Sequence, residues 1–403
     1  MTVTQVNKPL SSAPAQGRIT PESIAAAEAL IGTYLRPEGP FLQDVSVDTI
    51  RNFCNGTGDL NPLFRDLEYG RRSPFGSIVA HPLMPQAFGY IGRTRWGFPG
   101  VHGFYAGGDW EFFRPWHPGD RINCVERVVG VEIKESRFSG QLALQYTEGT
   151  FTNQRGELVA RALGWCTRHE RQTAKDTGKY RDISDSYEYS SGELDQIQAA
   201  ELAEEQNIRG SHVRYWEDVA IGESLDPIVR GPLSVMDLEA FHVAVGRGLA
   251  SGILLRQALR HPNHYFRNPE HGGALEYTGI GHSNPNVAKN VGVPGGYDYG
   301  PQRFSWMGSL VTNWMGDHAF LKRIRGEMRR FNVIGDTTTC SGKVVRKYQK
   351  DRYALVDLEI QAVNQRGETT APGLATVALP SRDINVKTLI DGSDLELELP
   401  TVR

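Results

Sequence analysis

Apolar and polar positions alternate with a period of two in two short stretches, Arg121-Ile122-Asn123-Cys124-Val125 and Thr337-Thr338-Thr339-Cys340-Ser341. Such alternation turns successive side chains to opposite faces of an extended backbone, so each stretch predicts a strand. Each follows a Gly-Asp pair, Gly119-Asp120 and Gly335-Asp336, of the composition that turns a chain into a strand. Strand-like runs at 141–151 and 354–362 each lead into one polar hexamer: Thr152-Asn153-Gln154-Arg155-Gly156-Glu157 returns as Val363-Asn364-Gln365-Arg366-Gly367-Glu368, with five of six positions identical. Asn and Gly among polar neighbours are what a tight hairpin requires. The Gly-Asp pairs lie 216 positions apart and the hairpin glycines 211, so the chain reads as two copies of one unit with small loop changes. Chance recurrence of a hairpin tip is the competing reading, and the matching Gly-Asp turn argues against it.

Helical spacing marks three further segments. His81 precedes Leu83, Met84, Ala87 and Phe88, which predicts an apolar helix opening at that histidine, and residues 304–315 predict a second. Residues 168–210 are polar and charged, and their centre, 192–206, carries Leu194, Ile197 and Leu202 at helical spacing, which predicts a connector with one acidic helix. Residues 213–219 and the turn Ile221-Gly222-Glu223 then read as the opening strand and turn of the second unit. The division expected is a disordered tail at 1–17, a first unit at 18–168, the connector at 169–209 and a second unit at 210–403.

Composition narrows the function classes. A chain of 403 residues exceeds what one core usually serves, which agrees with duplication. Its net charge of -3 comes from nearly balanced acids and bases, which removes the broad basic surface of a nucleic-acid binder. Cys54, Cys124, Cys166 and Cys340 are scattered, without a CxxC pair, which fits a reducing, cytoplasmic setting. No apolar run is long enough to span a membrane. His242, His261, His264 and His271 match no tight metal-ligand spacing, so no metal is expected. The basic run Lys322-Arg323-Ile324-Arg325 to Arg329-Arg330 reads as a solvated face or as a grip on phosphates.

Chemistry is suggested by Cys54-Asn55-Gly56-Thr57-Gly58-Asp59-Leu60-Asn61-Pro62-Leu63-Phe64-Arg65, followed by Ile78-Val79-Ala80-His81-Pro82-Leu83-Met84. These stretches resemble the MaoC and (R)-specific enoyl-CoA hydratase family, whose members carry Gly-Asp-x-Asn-Pro-x-His on a loop before a central helix opening with His-Gly. Arg214-Tyr215-Trp216-Glu217-Asp218 also resembles its tandem relatives. The resemblance implies an α+β double hotdog, two curved antiparallel sheets each wrapped around a central helix. It further implies an acyl-CoA hydro-lyase that hydrates a 2-enoyl-CoA or dehydrates a 3-hydroxyacyl-CoA. The acyl-CoA thioester is the implied partner and a homo-oligomer is possible; no cofactor is implied beyond the CoA within the substrate. In that chemistry an acid and a histidine hold one water and shuttle its proton, while helix-start N–H groups steady the enolate oxygen.

Carried over residue by residue, the first half keeps the acid as Asp59 but has Phe64 at the motif histidine and Pro82 after His81, and proline has no N–H to give. A shift of 218 positions places Tyr277, His282, Tyr299 and Gly300 against Asp59, Phe64, His81 and Pro82. The second half then offers His282 and Tyr277 as proton carriers, the Gly300 N–H as oxyanion donor, and Asp298 or Glu276 in place of the missing carboxylate. Asn284, Tyr299 and Arg303 are the substrate-binding candidates, and Asp59 with His81 is the second choice of catalytic pair. The stretch 248–276 is long enough to reshape a pocket for a bulky acyl group. The rival readings are a non-catalytic acyl-CoA-binding partner subunit and a hotdog thioesterase.

Overall fold

The computed structural model describes residues 16–35, 42–89, 91–92, 96–136, 140–171, 187–246 and 252–383. The expected tail lies outside them except for its last two positions, and there the Gly17 N–H donates to the Gly100 carbonyl. The first half contains α1 (Pro21–Glu28), β1 (Tyr34–Leu35), α2 (Val47–Thr57), α3 (Pro62–Arg65), α4 (Leu67–Arg72), β2 (His102–Phe112), β3 (Asn123–Ser136), β4 (Gly140–Thr152) and β5 (Leu158–His169). After α5 (Ser191–Asn207) come β6 (Ser224–Arg230), α6 (Val235–Ala244), α7 (Leu254–Arg260), β7 (Tyr265–Asn268), β8 (Ala274–Tyr277) and α8 (Pro285–Lys289). The chain continues through α9 (Gly300–Met315), β9 (Phe320–Glu327), β10 (Thr338–Lys350), β11 (Tyr353–Asn364) and β12 (Thr369–Leu379).

Ten strands form one antiparallel sheet in the order β1-β3-β4-β5-β2-β9-β12-β11-β10-β6, and β7 with β8 makes a separate hairpin. The order is a palindrome of two five-strand units, so the repeat is present, but two separate sheets are not. The units join where β2 pairs with β9 from Gly107↔Glu327 to Glu111↔Arg323. Either strand alone would present a row of unpaired N–H and C=O groups, and pairing them removes both edges. Arg323 crosses the seam and grips Asp109 at 2.7 and 2.6 Å. The basic run therefore supplies a ladder tie there.

The repeated hexamer has a mechanical role. Asp120 Oδ2 accepts the His117 N–H and its Oδ1 accepts from Gln154 Nε2, while Gln154 Oε1 accepts the Arg121 N–H. In the second half Asp336, Val333, Gln365 and Thr337 repeat this pattern. The Gly-Asp turn and the hairpin tip thus lock each other, with Gly156 and Gly367 both at φ 75°. Helices α2 and α6 also correspond. Each opens on a capping box, Ser46 with Thr49 and Ser234 with Asp237, and they pack where Gly56 meets Ala244.

Four local expectations need correction. The helix expected from His81 is only a 3-10 turn, Met84–Ala87, because Pro82 and Pro85 remove N–H groups and Gly89 follows. The predicted opening strand at 213–219 is a coil and the 3-10 turn Trp216–Asp218, and the strand itself begins at Ser224. The connector helix exists, but the residue it buries is Glu204, while Leu202 is 77% exposed. The second central helix starts earlier than predicted, at Gly300, and is buried from Pro301 to Met315. No helix among the described residues is long and apolar enough to cross a membrane.

Candidate active site

The turn after α2 sets the first group in place. Gly58 ends the helix at φ 66°, a left-handed conformation that glycine adopts without strain. Asp59 follows, 1% exposed, and its Oδ1 accepts the Asn61 N–H at 2.9 Å. Asn61 in turn caps α3 by accepting the Leu63 N–H at 3.0 Å. Arg230 braces this loop, donating to the Thr57 and Gly58 carbonyls while paired with Glu204.

His81 enters from the next segment. Its Nε2 lies 3.6 Å from Asp59 Oδ2, beyond a direct hydrogen bond, and Ser309 bridges the two. Ser309 Oγ donates to Asp59 Oδ2 at 2.6 Å and sits 3.4 Å from His81 Nε2. The Leu83 N–H donates to His81 Nδ1 at 3.1 Å, which places the proton of the neutral ring on Nε2. Burial pulls the imidazole down to about 4 against the opposing pull of Asp59, so the ring is neutral near pH 7.

His81 also forms part of the wall of an apolar pocket that opens to solvent. Phe64, Phe112 and Trp116 from the first half and Met315 and Phe320 from the second enclose it. Phe64 stands at the motif histidine position, and its ring meets the His81 ring edge-on at 5.4 Å. The N–H groups nearest His81 are already committed. Pro82 has none, Leu83 gives its own to the His81 ring, and Met84 gives its own to the His81 carbonyl.

The second-half candidates are dispersed. His282 Nδ1 bonds the Tyr297 carbonyl at 2.9 Å, and its ring stacks on Tyr299 at 3.8 Å. Tyr299 Oη lies 2.9 Å from His242 Nδ1. Tyr277 sits on the separate hairpin, packed against Tyr265 and His264. Asp298 and Arg303 form a fully buried fork, and Arg303 also donates to the Arg330 and Thr370 carbonyls. Burial pushes the Asp298 carboxyl up and the guanidinium opposes it. Glu276 accepts from Asn268 at 2.7 Å and meets His271 at 3.0 Å. Asn284 caps α8 through the Asn286 and Val287 N–H groups. Gly300 opens α9 beneath Tyr105, whose ring occupies the space a Cβ would need.

The caps also reset the register between halves. Asn61-Pro62 and Asn284-Pro285 both start short helices, so Asp59 corresponds locally to His282 and Phe64 to Val287. This cap offset of 223 positions differs by five from the 218-position shift read from the sequence. The site residues that sequence reasoning missed are Ser309, Arg230 and Glu204. Ser309 had a signal: Gln302, Ser305, Ser309 and Asn313 form a polar stripe at helical spacing within an apolar helix. Among the described residues no group of three or more His, Cys, Asp or Glu side chains is placed to hold a metal.

A family model described as the FAS1-like dehydratase domain region matches residues 29–162. A probable enoyl-CoA hydratase alpha subunit of Thermomonospora curvata is 29% identical over 151 residues, 33% of this chain and 47% of that protein. The chain therefore spans about half the length of that relative. A UPF0336 protein of Parafrankia sp. is 31% identical over 151 residues, 36% of this chain and 93% of its own length. In structure, a MaoC-like dehydratase superimposes over 88% of this chain and 100% of its own at TM-score 0.61 and 17% identity. A Mycobacterium tuberculosis protein with a double hotdog fold covers 87% of this chain and 96% of its own at TM-score 0.53 and 10% identity. Residues 29–162 thus carry a FAS1-like dehydratase region, and the chain as a whole has the double-hotdog fold that MaoC-like dehydratases share.

Proposed function

We propose that this chain reversibly adds water across the double bond of a 2-enoyl-CoA, with Asp59 and His81 as the proton-handling pair. The carrying observation is a neutral, proton-bearing imidazole at the wall of an apolar pocket, with a buried carboxylate 3.6 Å behind it. The water hydroxyl bonds to C3, the proton that water loses passes to the pair, and one proton is delivered to C2. Dehydration of a 3-hydroxyacyl-CoA reverses each step. His81 lies beside the position that the family motif gives to histidine, which supports its taking over that role. The name of the Thermomonospora curvata relative supports both the enoyl-CoA substrate and assembly with a partner chain.

A second reading, an acyl-CoA-binding subunit without catalysis of its own, is favoured by the commitment of the N–H groups around His81. Incubating the purified chain with 2-enoyl-CoAs and separating the products by mass tests both. Gain of one water is the expected outcome, slowed about a hundredfold or more by Asp59→Asn or His81→Gln. Release of free CoA would make the chain a thioesterase, and bound but unchanged substrate would establish the subunit reading.

A further inference from the structure

Asp317 lies just past the last turn of α9, is 2% exposed, and contributes to the wall of the same pocket as His81. Its backbone N–H donates to the Gly210 carbonyl, and its Oδ2 accepts the Tyr69 hydroxyl at 2.5 Å. The Tyr69 phenol is pushed up to about 12, chiefly by burial, so it remains a donor at physiological pH. Asp317 Oδ1 is buried and has no hydrogen-bond partner. An unmet carboxylate oxygen is costly; the His318 imidazole acts on this carboxyl only electrostatically, and Met315, Ala319, Phe320 and Leu321 in the pocket wall give Oδ1 no donor.

We propose that Asp317 Oδ1 is a specificity point that pairs with a hydroxyl on the acyl group, remote from the thioester, so that the pocket selects hydroxylated acyl chains over methyl-terminated ones. An ionised carboxylate accepts from a hydroxyl, and a protonated one donates to it, so this single ligand group satisfies Asp317 in either state. An ammonium suits only the first state, a carbonyl only the second, and a methyl neither. Six residues of α9 separate Ser309, on the Asp59–His81 pair, from Met315, roughly 9 Å at the helical rise. The recognised hydroxyl therefore sits several carbons from the reacting C2 and C3. This inference rests on the acyl group occupying the pocket, as in the proposed function.

The test is calorimetric binding of two saturated medium-chain acyl-CoAs, alike except for a terminal hydroxyl, to the full-length protein. The hydroxylated ligand is expected to bind about tenfold or more tightly. Asp317→Leu should abolish that preference, while Asp317→Asn, which keeps both hydrogen-bonding capacities, should retain most of it. Equal affinities in the wild type overturn the inference even if Asp59→Asn still stops turnover. Equal losses for both ligands in Asp317→Leu would place the hydroxyl partner on the pantetheine arm and overturn the acyl assignment. A clear preference without any turnover would leave the inference standing and remove the hydro-lyase reading. Failure of either ligand to bind would remove both.

Discussion

Asp59 and Asp298 are both buried carboxylates close to a helix-start segment, one in each half, yet their surroundings differ in kind. Asp59 is held by a backbone N–H and a serine hydroxyl with a neutral imidazole 3.6 Å away, and the guanidinium braced beside it donates to carbonyls instead. Asp298 is met on both oxygens by Arg303, whose Nη1 donates to two further carbonyls. A carboxylate among neutral donors can exchange a proton. One clasped by a guanidinium is scaffold, and under the proposed function the halves divide chemistry from support along that line.

The most severe way to break this contrast is Arg303→Leu, which leaves Asp298 buried and unpaired. It should cost about 3–5 kcal/mol in urea denaturation. Next in size is a pH effect at His81, whose folded value of about 4 lies below the usual 6.5. Between those values the unfolded chain binds the extra proton, so stability is full above about 6.5 and is lost as pH falls toward 4, by at most about 3 kcal/mol. His81→Gln should flatten that part of the profile, and an unchanged slope would show that the ring is not buried neutral.

Gly56→Ala comes next, because the added methyl meets Ala244 and the Ala240 carbonyl at 2.9 Å where α2 crosses α6. Overpacking of this kind should cost about 1–3 kcal/mol. Asp120→Ala and Asp336→Ala should each lose a comparable amount or somewhat less, and nearly equal losses would establish that the turn lock is equivalent in both halves. The smallest effect is expected from His282→Ala, whose turnover should stay within a few-fold of wild type. A collapse there, with Asp59→Asn silent, would return the reacting centre to the second half.

What could be read from the sequence was what neighbours in the chain decide. Asn153 Oδ1 accepts the N–H groups of Arg155 and Glu157, and Asn364 repeats this, so the hairpin tips are local chemistry and their recurrence exposed the duplication. Asp59 and His81 were legible as types, but their joining required Ser309, 250 positions from Asp59. Spacing misled wherever a distant partner outweighed it. Glu204 is buried because Arg230 and Asn313 meet it, while Leu202 on the same helix faces water. Pro85 ended a helix that the apolar spacing around it predicted. The single sheet was beyond any local signal, since nothing in β2 or β9 alone announces the other.

That seam between β2 and β9 also explains what a single polypeptide adds. Two separate hotdog chains would have to find each other in solution, and their assembly would weaken on dilution. Tethering converts the encounter into an intramolecular step, with an effective concentration that for short flexible links is of millimolar order. Formation of the seam then no longer depends on how much protein is present. The pocket, whose walls come from both sides of that junction, is complete in every molecule that folds.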